Sequence, residues 1–578
     1  MRRCLPLLVF TACFASVVSG QTVTGSIVGA VTDPSGAPVG GASITVEHTS
    51  TGASRSALSA ESGDFVFGSL APGDYRVLVR MAGFKSAERQ NVVLLAADRL
   101  SLGNIMLELG AVEERVTVTA EGATVQTASA EKSAAITSSQ IDQLLVRGRS
   151  VTALLGLLPG VVDPQDGAIE TPTGTSNFNV NGSRNNTNNF TMDGIVISAP
   201  GGAANLMLPI SMDAVSEVKV MLSSYQAEFG RLSGASVQLV SKSGTRDFHG
   251  GFSYFKRHEQ FNANDFFRNF NGLPKGRYRF NTFSYNLGGP LYLPKLHRSR
   301  EKLFFFWNHE YWPSKTTSAL QTSTMPTELE RAGDFSRSVE VNGALINITD
   351  PANGQRFPGN VIPASRLDRN GLVLLNWFPK PNALDRAVTR GNYNYVSQWE
   401  GANPTQLYTL KIDYVATAKD NVSGSYSAQR IRGQGFNGGG ITANFAALAT
   451  SSRTTNHVGA FRHQRVFSPT LIVENTFGFV KNGGPIVISD EALRGMQRQH
   501  LGFTAGQLSS TSNPLDVIPG TAFGGVINPP TITFDGRFPF FLTRDHLDFS
   551  NQLTKIWGQH NVKAGLFFQW IAQLDGPW

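Results

Sequence analysis

Beyond residue 245 the chain carries nine strand candidates whose connections are alternately long and short. The candidates are 246–257, 277–292, 301–313, 405–416, 420–431, 454–466, 470–482, 545–556 and 560–571. The long connections are 258–276, 314–404, 432–453 and 483–544. The short ones are Pro294 to Arg300, Thr417 to Asp420, Phe467-Ser468-Pro469 and Trp557-Gly558-Gln559. Barrels of the bacterial outer membrane have short periplasmic turns and long outer loops, whereas a soluble sandwich has no reason to sort its connections. The first strand is therefore expected to start on the periplasmic side.

The side-chain pattern within the candidates agrees. Tyr408, Leu410, Ile412 and Tyr414 fall on one face of a strand, and Thr409, Lys411 and Asp413 on the other. Val562, Ala564, Leu566, Phe568 and Trp570 oppose Lys563, Gly565 and Gln569 in the same way. A lysine at the midplane of a barrel's lipid face costs ~2–4 kcal/mol, so the polar faces are expected to line the lumen. Phe304-Phe305-Phe306-Trp307 and Tyr311-Trp312 suit an interfacial girdle. Only 16% of residues are charged, which argues against a disordered chain or a coiled coil. The net charge of +7 is spread without a basic stripe, so nucleic acid is not an expected partner. No stretch after the first 20 residues reaches the ~18 apolar residues of a membrane helix, but an exported chain can also cross a bilayer as a closed barrel.

Export is expected from the N-terminus. Arg2 and Arg3, the apolar run Leu5 to Val18 and the small residues before Gln21 read as a signal peptide over 1–20. Both cysteines, Cys4 and Cys13, lie within it, so the mature chain has no thiol chemistry. Residues 22–109 then alternate short β-prone runs with turns such as Asp33-Pro34-Ser35-Gly36 and Ala71-Pro72-Gly73-Asp74, the spacing of an antiparallel sandwich. Gly29, Asp33, Gly36, Pro38, Val39 and Gly41-Ala42 resemble the opening of a carboxypeptidase-regulatory-like domain. Gly63, Phe65, Leu70, Pro72-Gly73, Tyr75 and Gly83-Phe84 resemble its second signature. The resemblance implies a non-catalytic, transthyretin-like or carbohydrate-binding-like sandwich.

Within 110–120, Glu114-Arg115-Val116-Thr117-Val118-Thr119-Ala120 is a short β-prone segment between small polar residues. Left unpaired, it would extend another protein's sheet. It resembles a TonB box, the periplasmic handle of TonB-dependent receptors, which implies a TonB-type energy transducer as partner. Residues 121–243 continue the resemblance as a plug domain. Ser138 to Leu145 and Val151 to Leu158 suggest two short helices, and Asn181-Gly182-Ser183-Arg184 precedes an Asn-rich loop. Asp193-Gly194, Val215 to Leu222, Ala227 to Arg231 and Val237 to Gly244 follow in order. Asn181, Gly182, Arg184, Asp193, Gly194, Glu228 and Arg231 are the plug-motif candidates, the charged ones as ion pairs within the plug or against the wall.

In the longest loop, Met325-Pro326-Thr327, Arg331 to Ser336, Asp350-Pro351, Phe357 to Arg366 and Phe378 to Asn382 resemble Oar-like receptors of this class. The expected architecture is mainly β: an N-terminal sandwich, an α+β plug, and the first nine or so strands of an antiparallel barrel over 244–578. The implied function is capture of an extracellular solute and its movement across the outer membrane; the alternatives are a structural or adhesive barrel, or a secreted carbohydrate-binding module. No catalytic, metal or cofactor site is expected. Gly433-Gln434-Gly435-Phe436-Asn437-Gly438 fits a dinucleotide-loop pattern but follows an alternating strand, and is read as a flexible outer loop. His249, His258, His297 and His309 lack zinc-site spacing. Plugged transporters have ~22 strands, so a wall at this spacing would need roughly 800 residues, and the chain is expected to be a fragment with an open sheet edge.

Overall fold

The computed structural model describes residues 23–111, 115–119, 129–144, 146–162, 178–199, 206–230, 233–270, 272–292, 300–438, 440–507, 509–536, 538, 540–557 and 560–577. The expected leader, with Cys4 and Cys13, lies outside them.

The N-terminal unit holds β1 (Gly25–Thr32), β2 (Ser43–His48), β3 (Ser54–Leu58), β4 (Asp64–Leu70), β5 (Gly73–Arg80), β6 (Ser86–Leu94), β7 (Arg99–Met106) and β8 (Arg115–Thr119). Two sheets, in the orders β4-β1-β7 and β3-β2-β5-β6-β8, enclose one core of Ile27, Ile44, Phe65, Phe67, Val77 and Leu100, among others. Phe65 and Phe67, two apart, both point inward, as strand alternation requires. The sandwich is mixed rather than purely antiparallel, because β1–β7 and β6–β8 are parallel pairs. Hairpin-scale spacing marks antiparallel neighbours only, and these two pairings are made by segments far apart in sequence.

The second unit contains β9 (Lys132–Thr137), α1 (Ser138–Gln143), β10 (Val161–Val162), β11 (Asn179–Val180), β12 (Asn189–Met192), β13 (Ile195–Val196), β14 (Val215–Ser223) and β15 (Ser236–Ser241). Helix α1 starts at a capping box between Thr137 and Gln140. The second expected helix forms as a 3-10 helix over Val151–Leu157. Five strands make one sheet, β13-β12-β15-β14-β9. Both faces of β14 and β15 are largely buried, and the polar side chains Glu217, Lys219 and Gln238 are buried among their apolar neighbours.

The wall begins with β16 (His249–His258), β17 (Tyr278–Pro290) and β18 (Leu303–Trp312). The long loop that follows carries β19 (Ser314–Thr317), β20 (Gln321–Ser323), β21 (Tyr395–Ser397) and β22 (Glu400–Ala402). The wall resumes with β23 (Thr405–Val415) and β24 (Asp420–Phe436). After the short loop strand β25 (Ile441–Ala443) come β26 (Ala449–Ser468) and β27 (Leu471–Ile488); after β28 (Ile532–Phe534) come β29 (Phe540–Trp557) and β30 (His560–Pro577). Nine long strands thus pair antiparallel with their sequence neighbours from β16 to β30. The sheet is not closed: among the described residues β16 and β30 are its two edges.

Two expectations are corrected. Gly433-Gln434-Gly435 is strand rather than loop, since β24 continues to Phe436 and pairs with β26 to its end. The aromatic run 304–312 is not a single girdle. Strand alternation turns Phe304, Phe306 and Trp312 into the buried interior, with only Phe305, Trp307 and Tyr311 on the outer face.

Candidate functional site: the plug–wall interface

Two Asx-Gly pairs shape the plug's turns. Asn181 (φ 49) and Gly182 (φ 76) are successive left-handed residues, and so are Asp193 (φ 48) and Gly194 (φ 90). The second pair closes the β12–β13 hairpin, in which Met192 pairs with Ile195, the geometry that favours Asp-Gly in two-residue loops. Asn181 also donates to the Leu222 carbonyl at 3.3 Å. Arg184 is exposed, and its carbonyl accepts the Thr187 hydroxyl at 2.6 Å. Arg231 lies outside the described residues.

Asp193 reaches further than its turn. Its carboxylate accepts the Ser241 amide (3.0 Å) and hydroxyl (2.7 Å), and lies 3.7 Å from Lys411 of the wall. Burial would raise the Asp193 pKa, but the Lys411 charge and the Ser241 bonds outweigh it and hold the acid below its ordinary value. Lys411 donates to the Ser241 carbonyl at 3.1 Å, and Arg462 donates to that of Asp193. Lys411 and Asp413 sit on the less exposed face of β23, while Leu410, Ile412 and Tyr414 are exposed on the other.

Similar polar bonds follow around the wall. The edge strand β13 has its outer backbone groups satisfied by wall side chains: Asp548 accepts the Val196 amide (3.1 Å), and His546 donates to the Val196 carbonyl (2.7 Å). Glu228 accepts Lys563 at 2.7 Å and is also bonded by Gln552. Glu310 accepts the Ser211 hydroxyl at 2.8 Å, while Arg149 pairs with Asp213 at 2.6 Å and lies 3.7 Å from Glu310. Asn482 donates to the Met207 carbonyl at 2.8 Å. A closely packed apolar contact completes the seat: Gly478 leaves no room for a Cβ, whose ideal position lies 2.1 Å from Ile195 Cδ1.

Sequence reading singled out Asp193 and Glu228 but missed Arg149, Lys219, Glu310, Glu474, His546 and Asp548. A usable signal existed for most of them. Glu310, Glu474, His546 and Asp548 are ionisable residues at inward positions of alternating strands, and Lys219 interrupts the apolar run of β14. An ionisable side chain at such a position needs a partner inside.

Arg115–Thr119 does not stand free. It is the edge strand of the sandwich, parallel to β6, with Ser86 opposite Arg115 and Gln90 opposite Thr119. One of its two edges is therefore taken by β6. Val116 is half-buried and Thr117 exposed, and Glu114 and Ala120 lie outside the described residues.

On the outer side the loops are folded. Buried Arg331 donates to the carbonyls of Pro326 (3.1 Å), Phe378 (3.2 Å) and Pro379 (2.9 Å), and Arg366 grips Asp350 through two bonds of 2.8 and 2.9 Å. The motifs noted in that loop are therefore joints of its own scaffold. Between loops 258–276 and 314–404 lies a cavity of about 930 Å³, lined in part by Phe266, Phe270, Tyr278, Arg277 and Arg390. Among the described residues no cluster of His, Cys, Asp and Glu could hold a metal ion. His309 is instead stacked on Tyr408, with ring centroids 4.5 Å apart.

A folded stopper bonded to the polar face of an antiparallel transmembrane wall defines a plugged β-barrel protein of the outer membrane. The chain belongs to the outer membrane beta barrel domain family, whose model matches residues 240–576. Residues 26–108 match the carboxypeptidase regulatory-like domain and 124–237 the TonB-dependent receptor plug domain. A curated relative, the TonB-dependent transporter Oar of Myxococcus xanthus, is 23% identical over 378 residues, covering 63% of this chain and 34% of the relative. Among solved structures, the outer membrane transporter YddB from Escherichia coli is similar with a TM-score of 0.43 and 11% identity, over 76% of this chain and 48% of that one. The siderophore receptor PirA from Acinetobacter baumannii gives 0.39 and 10%, over 76% and 48%. The chain thus spans about a third of the curated relative's length and about half of these solved chains.

Proposed function

We propose that this chain is the receptor part of an active outer-membrane transport system. The outer loops capture a solute, the plug closes the passage, and residues 114–120 take the pull of a TonB-type energy transducer in the periplasm. No bond is made or broken; the work is conformational. The observation that carries this reading is the polar character of the plug's seat. Lys411, Arg462, Asp548 and Lys563 hold the plug through groups that water can solvate on release, beside an apolar contact in which Phe306, Val458 and Val480 of the wall join the plug's core. An adhesive barrel needs no such stopper, and a secreted carbohydrate-binding module needs no wall.

Deletion of residues 114–120 tests it. Uptake screens with iron chelates, oligosaccharides and peptides, in cells with and without the chain, identify the solute. The deletion should then abolish energised uptake and leave surface binding unchanged. Uptake that survives the deletion would remove the coupling role.

A further inference from the structure

The sandwich is docked against both the plug and the wall, through contacts that neither the barrel nor the plug reading requires. On the wall side, Glu474 of β27, only 3% exposed, accepts the hydroxyls of Thr24 (3.0 Å) and Ser69 (2.8 Å). Gln464 of β26 donates to the Ser69 carbonyl. On the plug side, the Ala96 amide donates to Glu217 at 3.0 Å, and Asp98 pairs with Lys219 at 2.6 Å. Lys219 is 1% exposed and lies 3.0 Å from Glu131 as well. Ala97 joins Met221 and Phe229 in a small apolar cluster.

Both contact segments hold a non-glycine residue in the left-handed region, Ser69 (φ 53) and Ala97 (φ 54). Such a conformation persists only where surroundings over-determine it. The buried charges argue in the same direction. Lys219 and Glu474 lose hydration on docking and regain it on separation, so the contact is specific yet separable. The coupling segment belongs to the same body, because β8 is the edge strand of the sandwich sheet.

We propose that the sandwich is a releasable lock: docked, it ties plug strand β14 to wall strand β27, and traction on residues 114–120 lifts it before the plug moves. This rests on the reading that 114–120 takes the transducer's pull. Two single-cysteine reporters in the full chain test it, since Cys4 and Cys13 both fall in the expected leader. Met221→Cys lies beneath the sandwich, and Met207→Cys lies at the plug–wall contact; both positions are almost fully buried. Cells are treated with N-ethylmaleimide with and without a protonophore.

Energised cells should label Met221→Cys about tenfold faster, the change expected when the open fraction rises from about one in a hundred to one in ten. The protonophore or deletion of 114–120 should remove that increase. In de-energised cells the pair Glu474→Gln and Lys219→Met should speed Met221→Cys labelling and leave Met207→Cys slow. If energy exposes Met207→Cys while Met221→Cys stays protected, the plug moves under a docked sandwich and the lock is wrong, with the coupling role intact. If neither reporter responds to energy, or both respond without residues 114–120, the coupling role falls and the lock with it.

Discussion

The Glu474 carboxylate on wall strand β27 accepts the Ser69 hydroxyl of the sandwich at 2.8 Å, across 405 positions of sequence. The same carboxylate takes the Thr24 hydroxyl, so one buried acid gathers two sandwich segments. Replacing it with Ala leaves both buried hydroxyls without that partner. Glu474→Ala should weaken docking by about 1–3 kcal/mol, and Glu474→Gln by less. Hydrogen exchange over 23–106 checks it: faster exchange confined to segments 23–26 and 67–70 is expected, and unchanged protection there would refute the contact.

Gly478 of wall strand β27 faces the Ile195 side chain of the plug with no room for a methyl group between them. A methyl group there would meet Ile195 Cδ1 at 2.1 Å, so β13 must shift or Ile195 must leave its rotamer. Gly478→Ala should destabilise the seated plug by about 1–3 kcal/mol. Adding Ile195→Ala removes the colliding atoms and should recover part of that loss. A double-mutant cycle on plug unfolding reads the coupling; additive single effects would show that the two side chains do not meet.

The wall was legible in the sequence because its signals are local. Period-two alternation and loop length sit within a few residues of each strand, and all nine long strands lie where that pattern placed them. The plug's turns at Asn181-Gly182 and Asp193-Gly194 act on their own backbone, but these residues were singled out as motif positions rather than as turns. The seat was not legible. Val196 meets Asp548 across 352 positions and Glu228 meets Lys563 across 335, and no local pattern encodes such a partner. The parallel docking of β8 on β6 escaped for a related reason: β propensity marks a strand without naming its neighbour.

Glu228 and Lys563 form the most asymmetric of these pairs, the acid almost fully buried and the lysine partly open to solvent. Lys563→Met therefore leaves a buried charge with Gln552 as its remaining partner among the described residues, whereas Glu228→Gln leaves a lysine that water can reach. The first change should cost about 1–3 kcal/mol of plug stability and the second less. Urea titration of both variants tests the order; equal losses would mean that Glu228 is better solvated than its position implies.

Glu217 makes docking of the sandwich sensitive to pH. Burial pushes its carboxyl up to about 7, opposed by the Ala96 amide and by Lys219, while Asp98 pushes it further up. Lys219 stands two residues along β14; Asp98 faces it from the sandwich and Glu131 from the segment before β9. A carboxyl whose pKa is raised on folding binds its proton more tightly in the docked state. Its contribution is therefore full below about 4.5, fades as pH rises, and is lost above about 7. Docking should weaken by an amount on the order of 1–3 kcal/mol between pH 5 and 8. Glu217→Gln, which stays neutral, should flatten that dependence while keeping an acceptor for the Ala96 amide. Exchange at Ala96 and Ala97 as a function of pH, corrected for the intrinsic rate, measures it; a variant with the parent's slope would assign the titration to another group.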